Sequence, residues 1–539
     1  MRLSELARGL PLSTPEDDDV EITGVQHDSR RVAPGDLFVA IPGARYDGAT
    51  FATDAIGRGA VAVVAAAPAP GPVTVPWLVT ASPRALLGPL ATRLHGRPDE
   101  ELVMVGVTGT NGKTTVAWTS EALLEAAGRP TGRLGTLSYT FRDLDLPAAR
   151  TTPEASDLVA LLRAMRERGA EAVTMEVSSH ALALERLGET RFDVAVFTNL
   201  TRDHLDFHGT MEDYFAAKRR LFVERLKPSG VAVVHVGDEW GRRLAAELPG
   251  AVTYGEGGAV HAVEPELDAR GIRARVVTPR GELRLESRLV GPYNLENLLA
   301  TVAVGEALAL PHETVQRALR EVAPVPGRME PIDRGQPFPV FVDYAHTDDA
   351  LASALDAVRR ITGRKVAVVF GCGGDRDRGK RPLMGRVAGE RAELVMVTSD
   401  NPRSEDPQSI MAAIEEGVKA SGNPNYRMLP DRRDAIRRAV AVAGPEWALL
   451  VAGKGNEDGQ EIAGAKLPFS DREELVQALD ERAEAEARPS SSGRQGSGRE
   501  GGREGGQNGN AGNGRGAGNG RGPVGGGGTQ ESRGAAHGV

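Results

Sequence analysis

The stretch Gly109-Thr-Asn-Gly-Lys-Thr-Thr115, set directly behind the apolar run Leu102-Val-Met-Val-Gly-Val107, decides how this chain is read. A short buried strand that turns through glycines into Lys-Thr-Thr is a cradle for nucleotide phosphates. The glycines let backbone N–H groups close on phosphate oxygens, and the following helix adds its N-terminal dipole. Lys113 is placed to reach the outer phosphates and Thr114 to ligate Mg²⁺. The strict Gly-x-x-x-x-Gly-Lys-Ser/Thr pattern requires glycine at position 107, which is valine here. The departure points away from the commonest phosphate-loop NTPases.

Outward from this loop, residues 99–327 read as strands alternating with helices, with candidate strands at 102–107, 172–177, 193–198 and 231–236. Such alternation predicts a doubly wound parallel sheet with ligands at the carboxyl ends of its strands. Before it, residues 1–98 show short β-like runs at 37–41 and 61–64, a smaller α/β domain. After the break Val325-Pro-Gly-Arg328, a second α/β series has candidate strands at 340–344, 365–370, 393–398 and 447–452, a Rossmann-like domain over 328–485. Residues 486–539 are mostly Gly, Ser, Asn, Arg and Glu. They carry too little apolar surface to offset chain entropy and are expected to be disordered. The Gly-Arg repeats in this tail offer weak nucleic-acid contact as an alternative to a solvated tail.

Composition narrows the function. The 539 residues are 40% hydrophobic and 26% charged, with net charge -9, which argues against general nucleic-acid binding by the folded body. The single cysteine, Cys372, excludes an internal disulfide framework and a cysteine-based metal cluster. The N-terminus lacks an apolar signal core, and no run is long enough to span a membrane. A cytoplasmic location, with no membrane partner, is expected.

Further polar clusters fall where strands should end. Glu176-Val-Ser-Ser-His180 offers a carboxylate as a Mg²⁺ ligand, against a plain helix cap by Ser178 or Ser179. Thr198-Asn-Leu-Thr-Arg-Asp-His-Leu-Asp-Phe-His208, followed by Lys218, crowds histidines and aspartates together more than a structural turn needs, although Lys218 alone reads as a surface lysine. Asp343-Tyr-Ala-His346 ends another apolar run. Gly371-Cys-Gly-Gly-Asp-Arg376 fails as a dinucleotide fingerprint because Arg376 stands at the third glycine position. Arg376 and Arg403 are better matched to carboxylates, which a guanidinium grips with two parallel bonds.

The ordered set Gly109–Thr115, Glu176-Val-Ser-Ser-His-Ala-Leu182, Asn199-Leu-Thr-Arg-Asp-His-Leu-Asp206, Lys218, Asn294-x-x-Asn297, Asp343-Tyr-Ala-His-Thr347 and Asp400-Asn-Pro-Arg403 resembles the Mur ligase family over residues 1 to about 485. The resemblance implies ATP-dependent amide formation in peptidoglycan precursor synthesis: meso-diaminopimelate joined to UDP-N-acetylmuramoyl-L-alanyl-D-glutamate through an acyl phosphate. It implies ATP contacts at Gly109, Thr110, Asn111, Gly112, Lys113, Thr114, Thr115, Asn294 and Asp343. Lys113, Glu176, His204 and Lys218 would be catalytic. Mg²⁺ would be held by Thr114 and Glu176, and a second ion by His204 and Lys218, the lysine as its N6-carboxy (carbamylated) form. Ser29, Thr151, Thr152, Ser178 and Arg186 would hold the UDP-sugar dipeptide. Diaminopimelate would meet Arg376, Asp400, Asn401, Pro402, Arg403, Gly453 and Glu457. A monomer is expected, with closure of the C-terminal domain.

Arg403 suits a diamino acid with a second carboxylate, whereas lysine would leave it desolvated and unpaired. The sequence departs from the family pattern at Asp348, at Asn456 and at Leu184, where relatives can carry proline, histidine and glutamine. The alternatives are a lysine-adding ligase of the same family, a folylpolyglutamate synthetase, which shares the phosphate loop but not the N-terminal segment or Asp400-Asn-Pro-Arg403, and a non-catalytic ATP-binding scaffold.

Overall fold

The computed structural model describes residues 1–12, 19–43 and 46–487. The tail expected to be disordered lies outside these residues except for 486 and 487, which instead complete the helix Asp471–Ala487.

In the first 98 residues, Gly24–Gln26, Asp36–Val39, Ala62–Ala65 and Trp77–Val79 pair in sequence order as one parallel sheet. The helix Pro83–His95 carries this unit onto the next. Its Gly88 lies so close to the Gly188 turn that a Cβ added there would fall 2.5 Å from Gly188 Cα. Arg84 also reaches Glu154, Nη1 to Oε2, at 2.9 Å. Only glycine permits this approach of backbone to backbone.

The central sheet has eight strands in the order Val252–Tyr254, Leu226–His235, Phe192–Phe197, Val103–Thr108, Ala172–Glu176, Thr131–Leu134, Ser138–Phe141, Leu144–Pro147. The phosphate-loop strand lies between Phe192–Phe197 and Ala172–Glu176, parallel to both. The chain runs to one side of it first and to the other side afterwards, so the loop opens at the topological switch point. Alternate residues of the strands pack opposite faces. Val105, Val107, Val194 and Val196 join Leu298 and Val302 of the helix Pro292–Ala307. Met104, Phe192, Ala195 and Phe197 join Leu162 and Phe222 on the other side.

Two antiparallel features add to the parallel sheet expected over residues 99–327. Thr131–Leu134, Ser138–Phe141 and Leu144–Pro147 pair antiparallel, so the sheet is mixed. Residues 261–287 form a separate antiparallel meander of His261–Asp268, Gly271–Thr278 and Gly281–Ser287. Its last strand alternates exposed and buried positions, as a sheet wetted on one face must.

The C-terminal sheet runs Glu330–Pro331, Val340–Asp343, Trp447–Ala452, Lys365–Phe370, Leu394–Val397, Tyr426–Met428, parallel except at its first edge. The carboxyl ends of its strands deliver Asp343, Gly371, Asp400 and Gly453 to one rim of the sheet. A hairpin, Gly459–Ile462 with Ala465–Pro468, follows. Among the described residues no helix is long and apolar enough to cross a membrane.

Candidate active site

Register places the first polar groups. Val107 pairs with Glu176 and Thr108 with Phe197, so the phosphate loop leaves the sheet beside the Glu176 carboxylate and the Thr198 hydroxyl. Gly109 and Gly112 adopt φ of 149° and 85°, which favours glycine. Neither has room for a side chain: an added Cβ would lie 1.9 Å from Thr198 Oγ1 at Gly109 and 2.4 Å from Asn297 Oδ1 at Gly112. The helix Lys113–Ala126 starts immediately after.

Lys113 Nζ donates to the Gly109 and Thr110 carbonyls at 3.0 and 2.8 Å. Burial lowers its pKa, opposed by Glu176 and Asp203. Thr114 Oγ1 donates to Glu176 Oε2 at 3.1 Å, while Thr136 donates its N–H to Oε1 at 2.8 Å and its hydroxyl to Oε2 at 3.1 Å. The Glu176 carboxylate is thereby fixed at the loop's mouth although only 2% exposed.

Lys218, on the helix Met211–Glu224, is 1% exposed and donates to the Gly109 carbonyl at 2.7 Å. Its ammonium sits 4.6 Å from the Tyr214 ring centre. Burial drives its pKa well below that of an ordinary lysine, repulsion from Lys113 adds to the shift, and Asp203 opposes it. His204 has φ 53° and lies 3.3 Å from Asp203, Nε2 to Oδ2. Its ring meets His180 edge-on at 4.8 Å, and His208 binds Ser179 Oγ at 2.9 Å. Burial, then His204 and His208, push His180 down to about 4.

Except for His180 and His208, these side chains line a cavity of about 570 Å³ that also takes in Thr151, Ser178, Asn297, Asp343 and Tyr344. Asp343 Oδ2 accepts from the Met329 N–H at 2.6 Å and Oδ1 from Ala345 at 2.8 Å, while burial raises its pKa. The Thr114 hydroxyl and Glu176 carboxylate are hard oxygen donors suited to Mg²⁺. Among the described residues no three His, Cys, Asp or Glu side chains converge as a metal cage. Thr114 and Glu176 would hold a Mg²⁺ together with phosphate oxygens and water. Lys218 fits a ligand role only once its positive charge is removed.

Asn294 is 1% exposed and does not line the cavity; its amide donates to Val290 O at 2.8 Å and its oxygen accepts from Asn297 Nδ2 at 3.0 Å. It stands behind Asn297, which does line the cavity, because the helix Pro292–Ala307 turns that position inward.

Other expected residues lie apart from the cavity. Ser29 is buried in a short 3-10 turn, near where His27 Nδ1 and Arg31 meet Ser156 and Asp157 at 3.3 and 2.7 Å. Thr152 Oγ1 donates to Glu176 O at 2.9 Å and accepts from the Ser178 N–H at 3.0 Å, tying both to the Glu176 strand end. Arg186 is paired with Glu154 at 2.9 Å.

The C-terminal cluster is assembled around Gly373, where an added Cβ would lie 3.0 Å from Arg403 Nη1 and 3.9 Å from Arg376 Cγ. Arg376 is exposed. Arg403 has φ 55° and is clamped by the C-terminal hairpin: its N–H donates to Glu461 O at 3.0 Å, and Ala463 N–H donates to its carbonyl at 2.8 Å. Its guanidinium donates to Gly374 O at 2.7 Å. A left-handed arginine held this firmly marks a constrained position. Buried Lys454 bridges Asn401 Oδ1 and Glu457 Oε2 at 3.0 and 2.7 Å. Gly453 is close to Asp400, where a Cβ would fall 2.6 Å from Oδ2.

Sequence reading missed Thr136, Lys454 and Arg328. By sequence, Arg328 reads only as part of a domain break. Its guanidinium lies 4.1 Å from the Tyr344 ring centre, Nη2 is 3.4 Å from Thr114 Oγ1, and Nη1 is buried with no hydrogen-bond partner among the described residues. The signal available was an arginine directly after a Pro-Gly turn that joins two α/β series.

Fold and cavity together define an α/β phosphate-loop protein that presents lysine, threonine and carboxylate groups to one site. The chain belongs to the Mur ligase family. The Mur ligase family catalytic domain matches residues 21–92, the Mur ligase middle domain 107–305, and the Mur ligase glutamate ligase domain 327–455. The UDP-N-acetylmuramoyl-L-alanyl-D-glutamate--2,6-diaminopimelate ligase of Streptomyces coelicolor is 46% identical over 490 residues, covering 88% of this chain and 96% of the relative. Its Geobacter metallireducens counterpart is 44% identical over 504 residues, covering 89% and 99%. A solved structure of a ligase with that name is 34% identical, with a TM-score of 0.61 over 86% of this chain and 95% of the other.

Proposed function

We propose that this chain joins meso-diaminopimelate to the D-glutamyl γ-carboxylate of UDP-N-acetylmuramoyl-L-alanyl-D-glutamate, with ATP converted to ADP and phosphate. The observation that carries the reading is the Lys113, Thr114, Glu176 and Lys218 constellation on one cavity, in a chain similar along nearly all its length to ligases of that name. The γ-carboxylate oxygen attacks the γ-phosphorus and ADP leaves, giving an acyl phosphate. The amine nitrogen of diaminopimelate then attacks the acyl carbon, phosphate leaves, and the amine releases a proton.

Both reactants of the first step are anionic, so charge neutralisation and positioning dominate catalysis. Lys113 and Arg328 supply fixed positive charge at the loop. Mg²⁺, when bound, would supply Lewis-acid neutralisation of phosphate oxygens, with Thr114 and Glu176 to hold one ion and His204 and carbamylated Lys218 a second. Thr151, Thr152, Ser178, Arg186 and Ser29 are assigned to the UDP-sugar dipeptide. Arg376, Asp400, Asn401, Pro402, Arg403, Gly453 and Glu457 are assigned to diaminopimelate, with domains at 1–98, 99–327 and 328–485. Because this second group stands outside the nucleotide cavity, closure of the C-terminal domain completes the site. A cytoplasmic monomer is the proposed working form.

The test is acyl-phosphate trapping. With ATP, Mg²⁺ and UDP-dipeptide but no diamino acid, hydroxylamine should yield the γ-hydroxamate of the dipeptide. Amide formation with diaminopimelate but no trappable hydroxamate would reject the acyl-phosphate route.

A further inference from the structure

The cavity wall formed by the strand Leu226–His235 and the helix Pro292–Ala307 carries a histidine–glutamate contact that the reaction above leaves unused. His235 Nε2 lies 3.3 Å from Glu296 Oε2. The imidazole is seated between two glycines: a Cβ at Gly237 would fall 2.6 Å from His235 Cε1, and one at Gly255 would fall 2.6 Å from Cδ2. Behind it lies the ring of Tyr254 at 5.2 Å, whose hydroxyl donates to Phe197 O at 3.2 Å. Nδ1 of His235 is buried without a partner among the described residues, so the ring's polar contact is the one to Glu296.

Glu296 Oε2 is likewise buried and makes no hydrogen bond among the described residues, so His235 confines it by close approach, yet the side chain as a whole is 40% exposed and lines the cavity. Oε1 is therefore the oxygen a ligand can reach. The next residue, Asn297, abuts Gly112 of the phosphate loop, and Tyr293, three residues earlier on the same helix, also lines the cavity. A nucleotide with its phosphates on the loop thus meets an aromatic face and a fixed carboxylate on one helix.

We propose that Glu296, held in place by His235, selects the nucleobase by accepting a hydrogen bond from the exocyclic amine of adenine. A carboxylate accepts only. A 6-oxopurine presents another acceptor at that position, which leaves two desolvated oxygens facing each other. The inference rests on the ATP reading of the cavity. It makes Glu296 a specificity-determining residue and His235 a positioning residue.

Calorimetric binding of ATP and of inosine triphosphate to the full chain tests this, because the two bases differ only in the C6 group and the N1 proton that goes with it. Wild type should bind ATP at least ~30-fold more tightly than inosine triphosphate, since a site built for an N–H rejects its absence strongly. In Glu296→Gln the ratio should fall to about threefold or less, because an amide can rotate to donate its NH₂. His235→Ala should give an intermediate ratio. Equal affinities in wild type, an unchanged ratio in a folded Glu296→Gln protein, or no nucleotide binding at all would each overturn the proposal. Should Glu296→Gln misfold, the wild-type ratio alone decides. Amide formation without base preference rejects this inference and spares the ligase reading; base preference without amide formation does the reverse.

Discussion

Lys218 Nζ lies 2.7 Å from the carbonyl oxygen of Gly109, the same oxygen that accepts from Lys113 at 3.0 Å. Two buried ammonium groups on one carbonyl repel each other, and burial already disfavours the charged form of Lys218. Only a neutral amine can add CO₂, so this environment supports the carbamylation proposed for Lys218. Lys218→Ala should cut kcat by roughly 10²–10³-fold, the scale of losing one charge-stabilising group. In ¹³C-bicarbonate, wild type should show a carbamate carbon resonance that grows with pH and that the variant lacks. Full activity in the variant would reject the role.

Glu121 should make stability fall as pH rises. Burial lifts its pKa from 4.5 to about 7, with Arg133 opposing from 3.5 Å. Between these values the folded state holds a proton that the unfolded state releases. The contribution is fully present below about pH 4.5 and lost by about pH 7, at most ~3 kcal/mol. Denaturant melts of Glu121→Gln should be flatter than wild type across that window.

Gly88→Ala tests the junction at Gly188. In a free helix the change would gain ~1 kcal/mol. Here the added carbon meets Gly188 Cα at 2.5 Å, and forced overpacking of this kind costs ~1–3 kcal/mol. Thermal melts should show a net loss of stability. Gly57→Ala, with nothing within 4 Å of its Cβ, should not lose stability.

Arg432 and Asp471 form a fully buried pair, with Nε to Oδ1 and Nη2 to Oδ2 both at 2.7 Å. Arg432 also donates to Ser399 O at 3.4 Å and to Ala452 O at 2.8 Å, just ahead of Asp400 and Gly453. Asp471→Ala strands the guanidinium and should cost ~3–5 kcal/mol. The surviving folded protein should show a raised KM for the diamino acid with little change in that for ATP.

The strand-forming runs at 102–107, 172–177 and 365–370 were legible because apolar β-formers stand between turn signals, and they lie where the structure has strands. The meander at 261–287 is not expected from the sequence reading, although Glu282 to Glu286 alternates polar and apolar strictly. The surrounding βα rhythm had set an expectation that short antiparallel strands do not follow. The polar clusters holding Lys113, Glu176 and His204 stand out where strands end, whereas Lys218 is singled out only by the family resemblance; all four line one cavity. Asn294 and Asn297 are indistinguishable by motif; which one faces the cavity depends on how the helix Pro292–Ala307 is rotated in its packing. Arg328, beside Thr114, and Lys454, through Asn401, make contacts far away in sequence, which no local pattern announces.

The most direct measurement of the central claim is phosphate release by the full chain with ATP, Mg²⁺ and UDP-N-acetylmuramoyl-L-alanyl-D-glutamate across a panel of amino acids. The account predicts turnover with meso-diaminopimelate, at least ~10²-fold lower kcat/KM with lysine, and loss of that preference in Arg403→Ala. Equal or better use of lysine by wild type, or no turnover with any amino acid, would contradict it.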